Sequence, residues 1–279
     1  MVSLFDMGIF RFKYFNVVNE RSAMKVNTDG VLLGASMTIR PEDRRFLDIG
    51  TGTGTIALMV AQRFSRLAPL DEATLKNDEA RLKDRESDCD DVKMRCGSYG
   101  GDMMIDAIDV DEPSAEEAAM NFRNSPWNGN MKAHHMSLEE FAASSDAEYD
   151  LIFSNPPYFE DSLTAPDERK STARHTSEGL SYRDIFEFAA DRTTEHGRVA
   201  LVLPADQETG LCRYARMCGF HLFRIIRVRT VPRKNPVRII AEFSKIRCAE
   251  PEDLTLTIQN EGKYTQEYLS LTHDFYLFA

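Results

Sequence analysis

The segment Phe46-Leu47-Asp48-Ile49-Gly50-Thr51-Gly52-Thr53-Gly54 constrains this chain more than any other. A short apolar run enters glycines at every second position. Thr55 to Phe64 then carries Ile56, Met59, Val60 and Phe64 at helical spacing. Strand, tight turn and helix in that order make a βα unit. Its glycines let the backbone approach a ligand, and the helix N–H groups point toward it. The pattern reads D-x-G-x-G-x-G. It is not the dinucleotide fingerprint, because the sixth position is Thr55, and no lysine follows to make a P-loop.

The rest of the chain repeats this rhythm. Met103 to Asp109, Leu151-Ile152-Phe153 and Val199 to Leu203 read as strands; Pro113 to Phe122 and Tyr182 to Thr194 read as helices. Such alternation predicts an α/β fold, a mostly parallel sheet with helices on both faces. After residue 220 the pattern changes. Phe220 to Val231 and Val237 to Phe243 read as strands with no helix between them, which predicts an antiparallel pair closing one edge. Leu254 to Ile258 reads as one more strand. Ser65 to Gly101 is rich in charge and poor in large apolar residues. It is expected to be an insertion, a charged helix around Asp71 to Lys83 followed by a loop. The expected organisation is one domain over 1–279, with residues 1–44 as an extension on the cofactor side and an insertion at about 65–101.

Composition excludes several classes. The 279 residues, 42% hydrophobic, suffice for a large core, and no run of eighteen apolar residues offers a membrane helix. Arg11, Lys13 and Glu20 interrupt the first twenty residues, so no signal peptide is expected. The five cysteines (Cys89, Cys96, Cys212, Cys218, Cys248) have neither disulfide-framework nor zinc spacing. Reduced thiols in a cytoplasmic protein are expected, with no metal, and His134-His135 as ordinary imidazoles. The net charge of -11 is uneven. Arg66 to Glu112 holds 14 acids and 7 bases, whereas Gly210 to Cys248 holds 10 bases and one acid, Glu242. One face can repel polyanions while another attracts them.

Asp150-Leu151-Ile152-Phe153-Ser154-Asn155-Pro156-Pro157-Tyr158 is the most specific feature. From residue frequencies, Asn-Pro-Pro-Tyr arises by chance in such a chain about once in a thousand. The residue types suit a planar amine, a poor nucleophile because its lone pair is delocalised. The Asn155 side-chain oxygen and the Pro156 carbonyl can each accept one amine hydrogen and orient that lone pair. Pro156 and Pro157 stiffen the loop, and Tyr158 offers a face on which a flipped base stacks. The motif serves adenine N6 in DNA, adenine N6 in RNA, and the glutamine amide of a protein. A non-catalytic RNA-binding module is the alternative from another class.

D-x-G-x-G-x-G resembles motif I of the S-adenosyl-L-methionine-dependent methyltransferases. The resemblance implies that Asp48, Gly50, Thr51, Gly52 and Gly54 cradle the methionine part of that cofactor. An acid ending the next strand would hold its ribose hydroxyls. Asp109 is the candidate, with Val110 beside it and Asp111 the alternative.

Phe15-Asn16-Val17-Val18 and Ala23-Met24-Lys25-Val26-Asn27-Thr28-Asp29-Gly30-Val31-Leu32-Leu33-Gly34 closely resemble the opening of bacterial tRNA1(Val) adenine-37 N6-methyltransferases. Asn121 to Trp127 and Tyr268 to Phe278 add to the likeness. It implies a class I methyltransferase (Rossmann-like) fold, a seven-stranded sheet with one antiparallel strand, and methylation of adenosine 37 in a valine tRNA. It also places Lys25, Thr28 and Asp29 near the methionine end of the cofactor. By the capping rule alone, Thr28 and Asp29 are good N-caps for a helix from Gly30 to Met37. Ser137 stands where the family often carries an acid for the adenine amine; Glu139 or Glu140 could substitute. Arg227, Arg229, Arg233, Lys234 and Arg238 are the expected tRNA-backbone contacts. Arg169, Lys170, Arg174 and His175 form a second basic group after the catalytic loop. A monomer without an obligate protein partner is expected.

Overall fold

Apolar runs such as Leu151–Phe153 and Val199–Leu203 can be buried only if helices cover both sides of the sheet. The computed structural model describes residues 8–67, 103–157 and 179–277. It begins with a small antiparallel hairpin of β1 (Ile9–Arg11) and β2 (Asn16–Val18), followed by α1 (Thr28–Ser36), β3 (Arg45–Ile49) and α2 (Thr55–Leu67). Then come β4 (Met104–Asp109), α3 (Glu112–Arg123), β5 (Met131–His135), α4 (Leu138–Ser144), β6 (Tyr149–Ser154), α5 (Tyr182–Arg192), β7 (Thr193–Pro204) and α6 (Glu208–Met217). The chain ends with β8 (His221–Arg229), β9 (Arg238–Ser244), β10 (Glu252–Thr257), the short hairpin β11 (Gln259–Asn260) and β12 (Lys263–Tyr264), and α7 (Gln266–Thr272).

The main sheet has the order β10-β8-β9-β7-β6-β3-β4-β5. The pleat divides its side chains between two cores. Phe46, Leu151, Phe153, Ala200 and Val202 face one side, where α1, α2, α3 and α7 supply Val31, Ile56, Ala118 and Tyr268. Leu47, Ile152, Val199 and Leu201 face the other, against Phe141 of α4, Ile185 of α5 and Leu211 of α6. Each such side chain contributes about 1.5–3 kcal/mol by leaving water. Trp127 packs as a core residue, edge-on to Phe15 at 6.0 Å between centroids.

Three expectations need correction. Among the described residues the main sheet has eight strands, not seven: Glu252–Thr257 is an outer strand, paired in parallel with β8. The antiparallel strand does not lie at the edge. The α6 crossover carries the chain two places beyond β7, and β9 returns into the gap, antiparallel to both β7 and β8. Finally, the cap of α1 is Asn27, whose side-chain oxygen accepts from Gly30 N at 2.8 Å; Thr28 and Asp29 already lie inside the helix. The expected insertion helix, Cys89 and Cys96 lie outside the described residues.

The N-terminal extension is bolted to the sheet by buried charge. Arg198 of β7 donates to both Asp43 oxygens, at 2.6 and 3.1 Å, and to the Thr38 carbonyl at 3.1 Å. Glu242 of β9 accepts from Thr38 N at 2.7 Å and from Arg224 at 2.7 Å. These bonds fix where α1 ends, and therefore where its first turn stands at the opposite rim of the sheet.

Candidate cofactor and amine site

Strand order reverses between β3 and β6, and doubly wound sheets place ligands at the carboxyl ends of strands beside such a switch. The glycine turn leaves β3 there, and Asn155 leaves β6. Ser154 joins the two strand ends, its hydroxyl donating to the Ile49 carbonyl at 2.6 Å. The turn is wound through Gly50, Gly52 and Gly54 at φ of 71°, 55° and 78°, a region that side chains avoid. Gly50 N and Thr51 N both donate to the Ile108 carbonyl, at 2.9 and 3.0 Å.

Asp48 lies beneath this turn, fully buried. Its Oδ2 accepts from the Thr51 hydroxyl at 2.7 Å, while among the described residues nothing meets Oδ1. Burial pushes its carboxyl up to about 7, and the charge of Asp109 adds to the rise against the opposing bonds from Thr51 and Ala57 N. A buried carboxylate with an unanswered oxygen is costly in the ligand-free state and suits a cationic ligand group.

Asp109 ends β4. Its Oδ2 accepts from Gly52 N at 2.8 Å and its Oδ1 from Asp111 N at 2.9 Å. Burial raises its carboxyl as well, with those two N–H bonds opposing. Asp111 is engaged as the cap of α3, accepting from Ser114 N and the Ser114 hydroxyl. Val110 projects beside them, 72% exposed. Ser137 caps α4 in a reciprocal pair with Glu140, so its hydroxyl is committed to Glu140 N.

A strap from Val18 to Asn27 crosses over the turn, held by one face of α3. Asn121 exchanges bonds with Val18 N and O at 2.8 and 3.0 Å, and donates to the Thr53 carbonyl at 2.9 Å. Glu117 accepts from three consecutive backbone donors, Glu20, Arg21 and Ser22, at 2.8, 2.8 and 3.0 Å. The hydroxyls of Ser114 and Ser22 meet at 2.9 Å. A Cβ at Gly52 would stand 3.4 Å from the Met24 carbonyl and 3.5 Å from the Ser22 hydroxyl, so the strap lies directly on the turn. Lys25, on the strap, donates to the Glu20 carbonyl. Sequence reasoning missed Ser22, Met24, Asn27, Ser114, Glu117 and Asn121. The available signal was Ser114, Glu117 and Asn121 at spacings of three and four, one helical face of polar residues that the fold buries.

Asn155 is nearly buried, and its amide nitrogen lies 3.5 Å from Asn27 Oδ1 and 3.6 Å from Met24 Sδ. Pro156 is buried and Pro157 exposed. Tyr158, Arg169, Lys170, Arg174 and His175 lie outside the described residues. The structure brings together Asp48, the three glycines, Thr51, Asp109, Val110 and Asn155, with Thr28 beginning α1 alongside.

The basic residues divide. Arg227 is held between Glu208 and Asp253, so its charge is compensated. Arg229 donates to the Thr257 hydroxyl and the Pro232 carbonyl, at 2.8 and 3.1 Å. Arg238 pairs with Asp29 at 2.8 Å, which carries Asp29 toward β9. Arg233 and Lys234 are exposed on the loop joining β8 to β9, at the same rim as Asn155.

The fold is that of the class I methyltransferases. A solved structure of a predicted O-methyltransferase from Agrobacterium tumefaciens matches it with a TM-score of 0.54, covering 88% of this chain and 96% of that one at 14% identity. A family model described as "RMKL-like, methyltransferase domain" matches residues 35–212. Sequence relatives narrow the class. The tRNA1(Val) (adenine(37)-N6)-methyltransferase of Parabacteroides distasonis is 35% identical over 96% of this chain and 97% of its own length. The protein of that name from Flavobacterium psychrophilum is 32% identical over 96% and 99%. This chain belongs to the tRNA1(Val) (adenine(37)-N6)-methyltransferase family.

Proposed function

We propose that this protein methylates N6 of an adenosine in tRNA, adenosine 37 of a valine isoacceptor, with S-adenosyl-L-methionine as donor. One observation carries the reading: Asn155 stands at the end of β6, tied through Ser154 to the glycine turn over Asp48. The site fits the cofactor chemically. Asp48 offers the ammonium end a buried oxygen that has no hydrogen-bond partner among the described residues. The turn has no side chains at Gly50, Gly52 and Gly54 to obstruct a close approach. Asp109 keeps a lone pair on each oxygen for ribose hydroxyls beyond the N–H bonds it accepts. The bound cofactor supplies an electrophilic methyl group. Asn155 and the Pro156 carbonyl accept the two hydrogens of the adenine amine and hold its lone pair in line, so the orientational entropy is lost in folding, not in the reaction. Arg229, Arg233 and Lys234 lie at the same rim and are the contacts proposed for the RNA backbone, while Arg238 spends its charge on Asp29; the basic group Arg169, Lys170 and Arg174, proposed from sequence as further contacts, lies outside the described residues. The protein acts as a monomer in the cytoplasm.

The test is transfer of labelled methyl to bacterial tRNA lacking this modification, with nucleoside analysis. N6-methyladenosine in valine tRNA, absent with Asn155→Ala, is the expected result. Label in DNA or in a protein glutamine, with none in RNA, would overturn it.

A further inference from the structure

A carboxamide has two nearly isosteric orientations, and only one is productive at this site. Asn155 must present oxygen to the target amine; turned over, it would set its own N–H groups against those of the substrate. Acceptors placed along one edge of the carboxamide mark that edge for nitrogen.

From this geometry we infer that Asn27 is a positioning residue that sets the orientation of the Asn155 carboxamide. Asn27 is itself fixed at both ends of its amide. Its Oδ1 accepts from Gly30 N at 2.8 Å and its Nδ2 donates to the Lys25 carbonyl at 3.1 Å. Only one orientation satisfies both bonds, so Oδ1 is fixed as an acceptor facing Asn155. The Asn155 amide nitrogen turns to it at 3.5 Å, with the Met24 thioether, a weak acceptor, at 3.6 Å beside it. Two acceptors on one edge place nitrogen there and oxygen on the opposite edge. The reverse orientation would bring the Asn155 oxygen against both. The separation is long for a hydrogen bond, as catalytic contacts often are before substrate tightens them. The cap of α1 thereby serves twice, since the residue that begins the helix also orients the group that receives the amine.

This inference rests on the proposed reaction, and three variants separate the two. Asn27→Ser keeps a good helix cap but withdraws the acceptor from Asn155; Asn27→Asp keeps the cap and the acceptor and gives up only the donation to the Lys25 carbonyl. The Asn155 side-chain amide resonance of the ligand-free protein, in 15N-asparagine-labelled samples assigned with Asn155→Ala, reports the contact without turnover. In Asn27→Ser we expect that resonance to move and kcat to fall about tenfold, the worth of one such bond. KM for the cofactor should stay within twofold and the thermal midpoint within about 2 °C. Asn27→Asp should restore the resonance and bring kcat within threefold of the parent. An Asn27→Ser protein with unchanged kcat overturns the inference. So does a loss confined to cofactor KM, or one that Asn27→Asp does not repair. A parent protein that leaves tRNA unmethylated overturns the proposed reaction instead, and the resonance still decides whether Asn27 orients Asn155.

Discussion

At pH 7 and above, Asp48→Asn is expected to stabilise the ligand-free protein and, at the same time, to weaken its hold on S-adenosyl-L-methionine. Burial raises the Asp48 carboxyl from 3.8 to about 7. The folded state therefore favours the protonated form, and the stability present below pH 3.8 is lost as pH rises toward 7. About three pKa units at 1.36 kcal/mol each make that loss about 4 kcal/mol. Asparagine does not ionise and escapes it. Its amide in place of Oδ1 adds a buried donor without a partner, an offset of about 1–3 kcal/mol that does not change with pH. The test is thus the pH dependence of the difference between variant and parent. Urea unfolding of both proteins at pH 4.5, 6, 7 and 8.5 should show the variant gaining by about 1.4 kcal/mol per pH unit up to about pH 7, then levelling. Calorimetric titration should show the parent binding cofactor more tightly as pH rises toward 7, when the carboxylate forms opposite an ammonium. The variant should bind weakly without that dependence. A stability difference that is flat with pH would refute the reasoning, because Asp48 would then titrate as an exposed carboxylate does.

Four other perturbations address different parts of the molecule. Glu117→Ala removes the common acceptor of Glu20, Arg21 and Ser22 N–H, and freeing the strap should raise the cofactor dissociation constant about tenfold, read by calorimetry. Arg198→Ala leaves Asp43 charged and buried without its partner, which should cost about 3–5 kcal/mol in urea unfolding. Charge reversal of Arg233 and Lys234 should weaken tRNA binding and lower the slope of log K against log salt by about 2. Arg227→Gln should leave that slope unchanged, because Glu208 and Asp253 already neutralise Arg227; an equal change for both would mean that Arg227 reaches phosphate.

The fold was legible because its signals are local. Phe46 to Phe64 shows strand, turn and helix in direct succession, and apolar strand patterns recur at Met104–Asp109 and Tyr149–Ser154. The added strand Glu252–Thr257 buries only its last two residues, so its apolar pattern said little about which neighbour it would join. Asn27, Thr28 and Asp29 are all good caps, and the capping rule cannot choose among three in a row. The basic stretch after residue 210 showed its cations but not their partners. Glu208 and Asp253 stand 19 and 26 residues from Arg227, and only the sheet brings them to it.

The least legible part of the site is the face of α3, and its role follows from one constraint. A glycine turn that exposes backbone to a ligand has few side chains of its own to hold it, so its shape must be imposed by neighbours. Here the imposing groups are polar, with Ser114, Glu117 and Asn121 buried and Asp109 half-buried. Asn121 grips the Thr53 carbonyl and Val18, Asp109 grips Gly52 N, and Ser114 and Glu117 press Ser22 to Met24 onto the turn. Gly54 admits α3 closely enough for this: a Cβ there would lie 2.5 Å from the Phe122 ring. Such a network is stiff only while every member is satisfied, since an unpaired buried donor costs about as much as a bond contributes. In sequence, Ser114, Glu117 and Asn121 look like the solvated side of a helix. Burial makes them the frame of the cofactor site, which is why an extension before β3 belongs to the same site as the turn after it.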